Sequence, residues 1–290
     1  MHNEDISLEV KEPALLMEFL LQNLKQKSRD NVKSLLRNKQ VWIDGRNISQ
    51  FNHPLKPGQK VLIRWSKPTE VFQDESLNIV YEDDTVVVID KQAGLLSIST
   101  DSEKRETAYS LLRTRVKLQN PANKIFVVHR LDRDTSGLML FAKTIEAKEF
   151  LQKTWLTSVR ERTYVAVVEG SVEQDEGEIT SYLYESKAMI VYSSRNATKG
   201  ELAITHYKVI KRNKLYSLLE VNLETGKKNQ IRVHMQDMGH PIIGDKKYGA
   251  ASNPIGRLGL HASVLSFNHP VTGAPLFFKS KTPHKFTRLF

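Results

Sequence analysis

The sequence predicts an α+β fold with a small basic module in front of it. Three observations carry this. From residue 77 onward, apolar stretches of strand length outnumber helical ones, and neighbours such as 203–210 and 216–223 are joined too tightly for a crossover helix, so they pair antiparallel. The chain has 290 residues, 40% apolar with no low-complexity tract, which suits one large domain or two unequal ones. Its charge is uneven: of a formal +10, residues 13–66 hold +7, ten Lys and Arg against Glu18, Asp30 and Asp44. Such an excess favours a polyanionic partner.

Within residues 13–66, Leu16, Phe19, Leu20 and Leu24 recur at helical spacing and make one apolar face. Ser28 is placed to cap a second helix, with Val32, Leu35 and Leu36 turned inward. Val41-Trp42-Ile43, the Asp44-Gly45 turn and Asn47-Ile48 read as a hairpin. Pro57-Gly58 turns the chain again, and Val61-Leu62-Ile63 closes the module. Two small helices on a few strands, strongly basic, describe a binding module; an ordinary small domain with a solvated surface gives the same pattern. A linker is expected over 67–76, opening with Lys67-Pro68-Thr69-Glu70.

Beyond it, strands are expected over 78–81, 86–89, 125–128, 138–142, 164–168, 203–210 and 216–223. Helical patterns fall at 107–117, 145–156 and 229–238. Lys211-Arg212-Asn213-Lys214 joins two long strands as a hairpin, and no internal repeat is present.

Two constellations could carry chemistry. The first is HRLDRDTSG, residues 129–137, set between two apolar runs. Its Asp134-Thr135-Ser136-Gly137 half reads as a turn, in which side-chain oxygens bond nearby backbone and Gly tolerates a positive φ. Asp132 lies beside Leu131 near a strand end, where a buried carboxylate needs a partner. An aspartic peptidase would need a second such Asp turn, and none follows. The second constellation runs from Glu224 to His234: Thr225-Gly226 turns a strand into a helical run carrying Gln230, Ile231, Arg232, Val233 and His234. Arg232 sits between apolar residues, so a carboxylate is its natural partner, in a structural or a functional pair.

Other classes have less support. There is no Cys, hence no disulfide and no thiolate metal site, and the nine His show no metal-ligand spacing. The Gly239–Gly249 loop lacks the spacing of a nucleotide-binding glycine loop. The polar N-terminus has no signal core and no apolar run approaches membrane length, so a cytoplasmic protein, monomeric by default, is expected.

Taken in order along the chain, these residues resemble the RluA/RluD-type pseudouridine synthases, which isomerise uridine in structured RNA. The resemblance covers roughly residues 77–290. It rests on His129-Arg130-Leu131-Asp132 with Thr135-Ser136-Gly137, on Arg162-Thr163-Tyr164 through Gly170, and on Thr225-Gly226 with Gln230 through His234. Gly239-His240-Pro241-Ile242-Ile243-Gly244-Asp245, Tyr248-Gly249 and Leu260-His261-Ala262 continue it. The basic segment 13–66 resembles the alpha-L RNA-binding module often appended to this family. The chain departs from the family in two places. Lys227-Lys228-Asn229 stands where Arg-Ser/Thr-His is usual, and Leu16-Met17-Glu18 where the module often has Arg-Leu-Asp.

The resemblance implies a large mixed, mainly antiparallel sheet with flanking helices over 77–290, and no cofactor or metal. It implies that Asp132 is the catalytic carboxylate, oriented by Arg232, with Tyr164 against the uracil. Arg130 and His129 would help hold the target nucleotide out of its stack, Ile231 would pack on the base, and Lys227 and Gln230 would contact RNA. Lys25, Arg29, Lys33, Arg37 and Lys39 are the expected RNA contacts of the module. Large-subunit ribosomal RNA is the first expected target and transfer RNA the second. A non-catalytic RNA-binding or ribosome-assembly factor on the same fold is the main rival. A glycosidase, which would want two acids flanking a sugar, is a distant one.

Overall fold

The computed structural model of the protein describes residues 5–25, 27–38, 40–65, 77–99 and 106–290. The expected linker over 67–76 and Lys39 lie outside these residues. The chain divides into two compact units, one within residues 1–72 and the other within 73–290.

The first unit is built from β1 (Ile6–Glu9), β2 (Ala14–Leu15), α1 (Leu16–Asn23), α2 (Arg29–Arg37), β3 (Val41–Ile43), β4 (Arg46–Asn47), β5 (Pro54–Leu55) and β6 (Lys60–Ile63). Its sheet runs β1-β6-β3-β4, and β2 pairs with β5. The Ser28 hydroxyl accepts from the Asn31 amide at 3.3 Å, the cap expected for α2. Leu16, Leu20, Val32, Leu36, Val41, Val61 and Ile63 form its core. With the apolar face spent inward, Arg29, Lys33 and Arg37 lie four residues apart on the exposed side of α2. Strand β1, which sequence patterning missed, pairs with β6 from Ile6–Ile63 to Glu9–Lys60, so the unit begins earlier than residue 13.

The second unit holds the strands β7 (Leu77–Glu82), β8 (Val86–Lys91), β9 (Phe126–Val127), β10 (Ser136–Ala142), β11 (Val159–Glu169), β12 (Glu176–Glu185), β13 (Val191–Ser194), β14 (Glu201–Arg212), β15 (Tyr216–Leu223), β16 (Leu260–Asn268) and β17 (Pro275–Lys279). Its helices are α3 (Ala108–Gln119), α4 (Ile145–Lys153), α5 (Trp155–Ser158), α6 (Gln230–Asp237) and α7 (His284–Thr287). The strands make one eleven-stranded sheet in the order β13-β12-β14-β15-β11-β16-β10-β8-β7, with β17 on β16 and β9 on β10.

Among the described residues one contact in this sheet is parallel, the two-pair meeting of Ser136-Gly137 on β10 with His261-Ala262 on β16. It falls where the chain leaves HRLDRDTSG. Gly137 has φ +112° and a Cβ there would lie 2.1 Å from the Ala262 carbonyl oxygen. The glycine is therefore demanded by the neighbouring backbone as well as by its φ.

Helix α4 packs Ala147 and Leu151 with Val86, Leu138 and Leu140, while α6 packs Ile231 and Met235 with Val168, Leu219 and Val221. The expected helix 145–156 is divided at Thr154, where α4 ends and α5 begins. Strands β12, β13, β16 and β17 were not anticipated, and the expected strand 125–128 shrinks to Phe126–Val127.

Candidate active site

HRLDRDTSG is held at three points around Asp132. On one side Leu131 and Ser97 bond reciprocally: the Ser97 hydroxyl donates to the Leu131 carbonyl at 2.6 Å and accepts the Leu131 amide at 3.1 Å. On the other, the Arg133 carbonyl accepts from the Lys91 ammonium at 3.0 Å and from the Gly94 amide at 2.9 Å. Lys91 is fully buried, its ammonium also bonded to the Gln92 and Leu95 carbonyls, and burial pulls its pKa down to about 7 against the nearby Asp134 carboxylate. The third point is Ser136, which accepts from Arg257 at 2.7 Å and meets His261 at 2.8 Å. Between them the Thr135 amide closes a turn on the Asp132 carbonyl at 3.2 Å.

Arg232, on the first turn of α6, reaches this loop. Its Nη1 donates to Asp132 Oδ2 at 3.0 Å and to Asn229 Oδ1 at 3.1 Å. Its Nε and Nη2 form a bidentate pair with Asp245 at 2.7 and 2.8 Å. The guanidinium also lies over the Tyr248 ring, 4.8 Å from its centroid. Burial opposes the charge, but the Asp245 and Asp132 carboxylates outweigh it and raise Arg232 above its ordinary pKa. The two acids differ: the Asp245 side chain is 1% exposed and that of Asp132 32%. Asp132 therefore faces open space with one carboxylate oxygen anchored.

That space is a pocket enclosing about 390 Å³, part of it open to solvent. Arg130, Leu131, Asp132, Tyr164, Lys227, Asn229, Gln230, Ile231 and Arg232 line it, with Leu223 and Leu260. Tyr164 enters from β11 at a bulge in its pairing with β16, between Thr163 and Tyr164, which re-aims the ring. Burial raises its phenol above the ordinary value, with Arg162 working against this and Asp132 with it.

Seven of the eight expected site residues line this pocket, and His129 and Gln230 take other roles than expected. Gln230 lines the pocket, but its amide is spent internally: the oxygen accepts from Thr225 and the Lys227 amide, and the nitrogen donates to Ile204 and Thr205. It holds the 225–227 turn. His129 is not among the lining residues; its Nε2 accepts the Leu140 amide at 2.9 Å and its ring meets Trp155 at 4.9 Å. Burial, aided by Arg162, pulls its pKa down to about 3, so it is a neutral framework group. Lys227 pairs with Glu201 at 2.8 Å at the rim, and Arg130 is exposed there.

Asp245, Asn229 and Tyr248 were missed as site residues. Asn229 takes the left-handed φ of +55° that starts α6, a conformation Asn tolerates well, and bridges Arg232 to the Tyr248 hydroxyl at 2.9 Å. Of the departing stretch Lys227-Lys228-Asn229, Asn229 is thus tied into the arginine's surroundings. Asp245 sits in a stretch that reads as loop, and its pairing depends on a helix 13 residues earlier.

The site is thus a carboxylate anchored by an arginine, facing a pocket lined by Tyr164, Ile231, Leu223 and Leu260 on a mainly antiparallel sheet. The model of the RNA pseudouridylate synthase family matches residues 85–237. An RNA pseudouridine synthase of Bacillus subtilis, YlyB, is 32% identical over 94% of this chain and 91% of its own. The ribosomal large subunit pseudouridine synthase D of Neisseria meningitidis serogroup A is 34% identical over 84% of this chain and 71% of its own. The solved human RNA pseudouridylate synthase domain containing 4 shares the fold, with a TM-score of 0.60 at 23% identity, covering 72% of this chain and 90% of that one. The chain belongs to the RNA pseudouridylate synthase family and is an enzyme of its RluA/RluD type, an isomerase. Among the described residues, no helix is long and apolar enough to cross a membrane.

Proposed function

We propose that the protein converts uridine to pseudouridine in large-subunit ribosomal RNA, in the cytoplasm, with Asp132 as the reacting carboxylate. The observation that carries the reading is the division of labour at Arg232. Asp245 saturates the guanidinium from the buried side, and Asp132, anchored through Oδ2, presents its other oxygen to the pocket. The relatives named for large-subunit work support the choice of RNA.

In the reaction the N1–C1′ bond breaks, the uracil turns, and C5 bonds to C1′; C5 loses a proton and N1 gains one. Asp132 is placed to act at the sugar or at the base, as nucleophile or as base at the 2′ position. Arg232 fixes its direction. Tyr164, protonated and half-buried, offers the base an aromatic face and a hydroxyl for proton transfer. Ile231, with Leu223 and Leu260, makes the apolar bed for the uracil. Arg130 at the rim compensates the flipped nucleotide, whose extrusion costs a few kcal/mol. In the first unit Lys25, Arg29, Lys33 and Arg37 hold phosphates.

The test is Asp132→Asn, assayed by mapping pseudouridine in total RNA from cells with the wild-type protein, the variant or neither. The expected outcome is binding near the wild-type level and no modification. Pseudouridine formation by a clean preparation of Asp132→Asn sinks the carboxylate assignment. Sites lost from transfer RNA in place of large-subunit RNA overturn the substrate assignment alone.

A further inference from the structure

We propose that His261, acting through Ser136, is a positioning residue for Asp132, holding the exit of the 129–137 loop in its working geometry. The inference rests on Asp132 being the reacting carboxylate.

The geometry is a chain of hydrogen bonds with one direction. Arg257 can only donate, and its Nη2 lies 2.7 Å from Ser136 Oγ. The Ser136 proton is left to point at His261 Nδ1, 2.8 Å away. That makes Nδ1 the acceptor and places the ring proton on Nε2, which faces Ser280 Oγ at 3.1 Å. Ser280 donates in turn to the Asp90 carboxylate. The chain runs from guanidinium to carboxylate, and a neutral imidazole with its proton on Nε2 is the form that fits the middle. Ser136, His261 and Ser280 are all buried, so none can exchange its partner for water without cost.

This chain ends on the loop that carries Asp132. Ser136 faces His261 across the short parallel contact, and Gly137 is pressed against the Ala262 carbonyl. The backbone thus meets a stop on one side and a directional bond on the other. Thr135 then bonds back to Asp132, so the grip at Ser136 reaches the carboxylate within four residues. The charges facing His261 are Asp90 from β8 and Arg257 from the loop before β16, with Lys91, Lys281 and Lys285 lining the same recess. Burial pulls His261 down to about 4, Asp90 opposing and Arg257 reinforcing it, which keeps the ring neutral at working pH.

His261→Asn and His261→Gln separate positioning from packing. Asn places an oxygen where Nδ1 sits, so it can accept from Ser136, but it falls short of Ser280. Gln reaches Ser280 and leaves Ser136 without its acceptor. The full-length variants are assayed on total RNA from cells lacking the protein, with melting temperature and RNA affinity recorded alongside. Because a 1 Å misplacement at a reacting centre costs about 10²-fold, His261→Gln and Ser136→Ala are expected to lower kcat by roughly that factor with KM unchanged. His261→Asn is expected to recover most of kcat at the same melting temperature as His261→Gln. Equal kcat for Asn and Gln, or activity that follows the folded fraction, overturns the proposal. Asp132→Asn is run beside them: if it is inactive while His261→Gln is at wild-type rate, positioning falls and the carboxylate assignment stands; if it is active, both fall.

Discussion

The guanidinium of Arg232 meets Asp245 on its buried side and Asp132 on its open side, and the two carboxylates answer differently to removal. Taking away Asp245 leaves a buried cation short of its bidentate partner, so Asp245→Ala is expected to cost about 3–5 kcal/mol of stability. Asp132→Ala removes a partner that is one-third exposed while Asp245 remains, so it is expected to cost about 0–1 kcal/mol and to abolish the reaction. Urea unfolding of the two variants checks this, and similar losses for both contradict the division of roles. An arginine flanked by Ile231 and Val233 asks for a carboxylate, and the family resemblance pointed to Asp132 as that partner. Asp245 was not legible in the sequence, since nothing in Gly244-Asp245-Lys246 shows that a helix will bring a guanidinium to it.

At the scale of elements, the legible ones were those with a single clean period. Helix α2 announced itself by its Ser28 cap and its apolar stripe, and the structure adds Arg29, Lys33 and Arg37 as a second stripe on the opposite side. If these three each hold a phosphate of single-stranded RNA, replacing all with Ala is expected to flatten the slope of log K against log salt by about 2, at ~0.7 per contact. Fluorescence anisotropy over a salt series measures it; an unchanged slope removes α2 from the RNA footprint. The strands that patterning missed have physical excuses. Strand β16 buries His261, Ser263 and Ser266 between its neighbours, so polar residues occupy positions that usually read as outward. Strand β12 leaves most of its residues partly or fully exposed, and β17 opens on Pro275, which is tolerated at the first residue of a strand with one neighbour.

Across the whole catalytic unit, three histidines are held neutral by burial: His129 near pKa 3, and His234 and His261 near 4. The unfolded chain titrates the same groups near 6.5. Below pH 6.5 the unfolded state therefore binds protons that the folded state refuses, and stability must fall as pH falls. For His234 and His261, 0% and 3% exposed, each group contributes about 1.4 kcal/mol per pH unit until its folded pKa is reached. Glu82, Asp83 and Glu169, whose pKa values the fold lowers, add their own loss as pH falls from about 5, so the fall between pH 6.5 and about 5.5 belongs to the histidines. The same two residues stand behind the two halves of the site. His234 bonds Thr205, which also takes the Gln230 amide at the start of α6, and His261 bonds Ser136 in the Asp132 loop. Acid is therefore expected to loosen both before the sheet unfolds. Urea midpoints at pH 7, 6 and 5 should fall in step, and His234→Asn and His261→Asn should each flatten the decline while lowering the starting value; a midpoint constant from pH 7 to 5 refutes the assignment of neutral histidines.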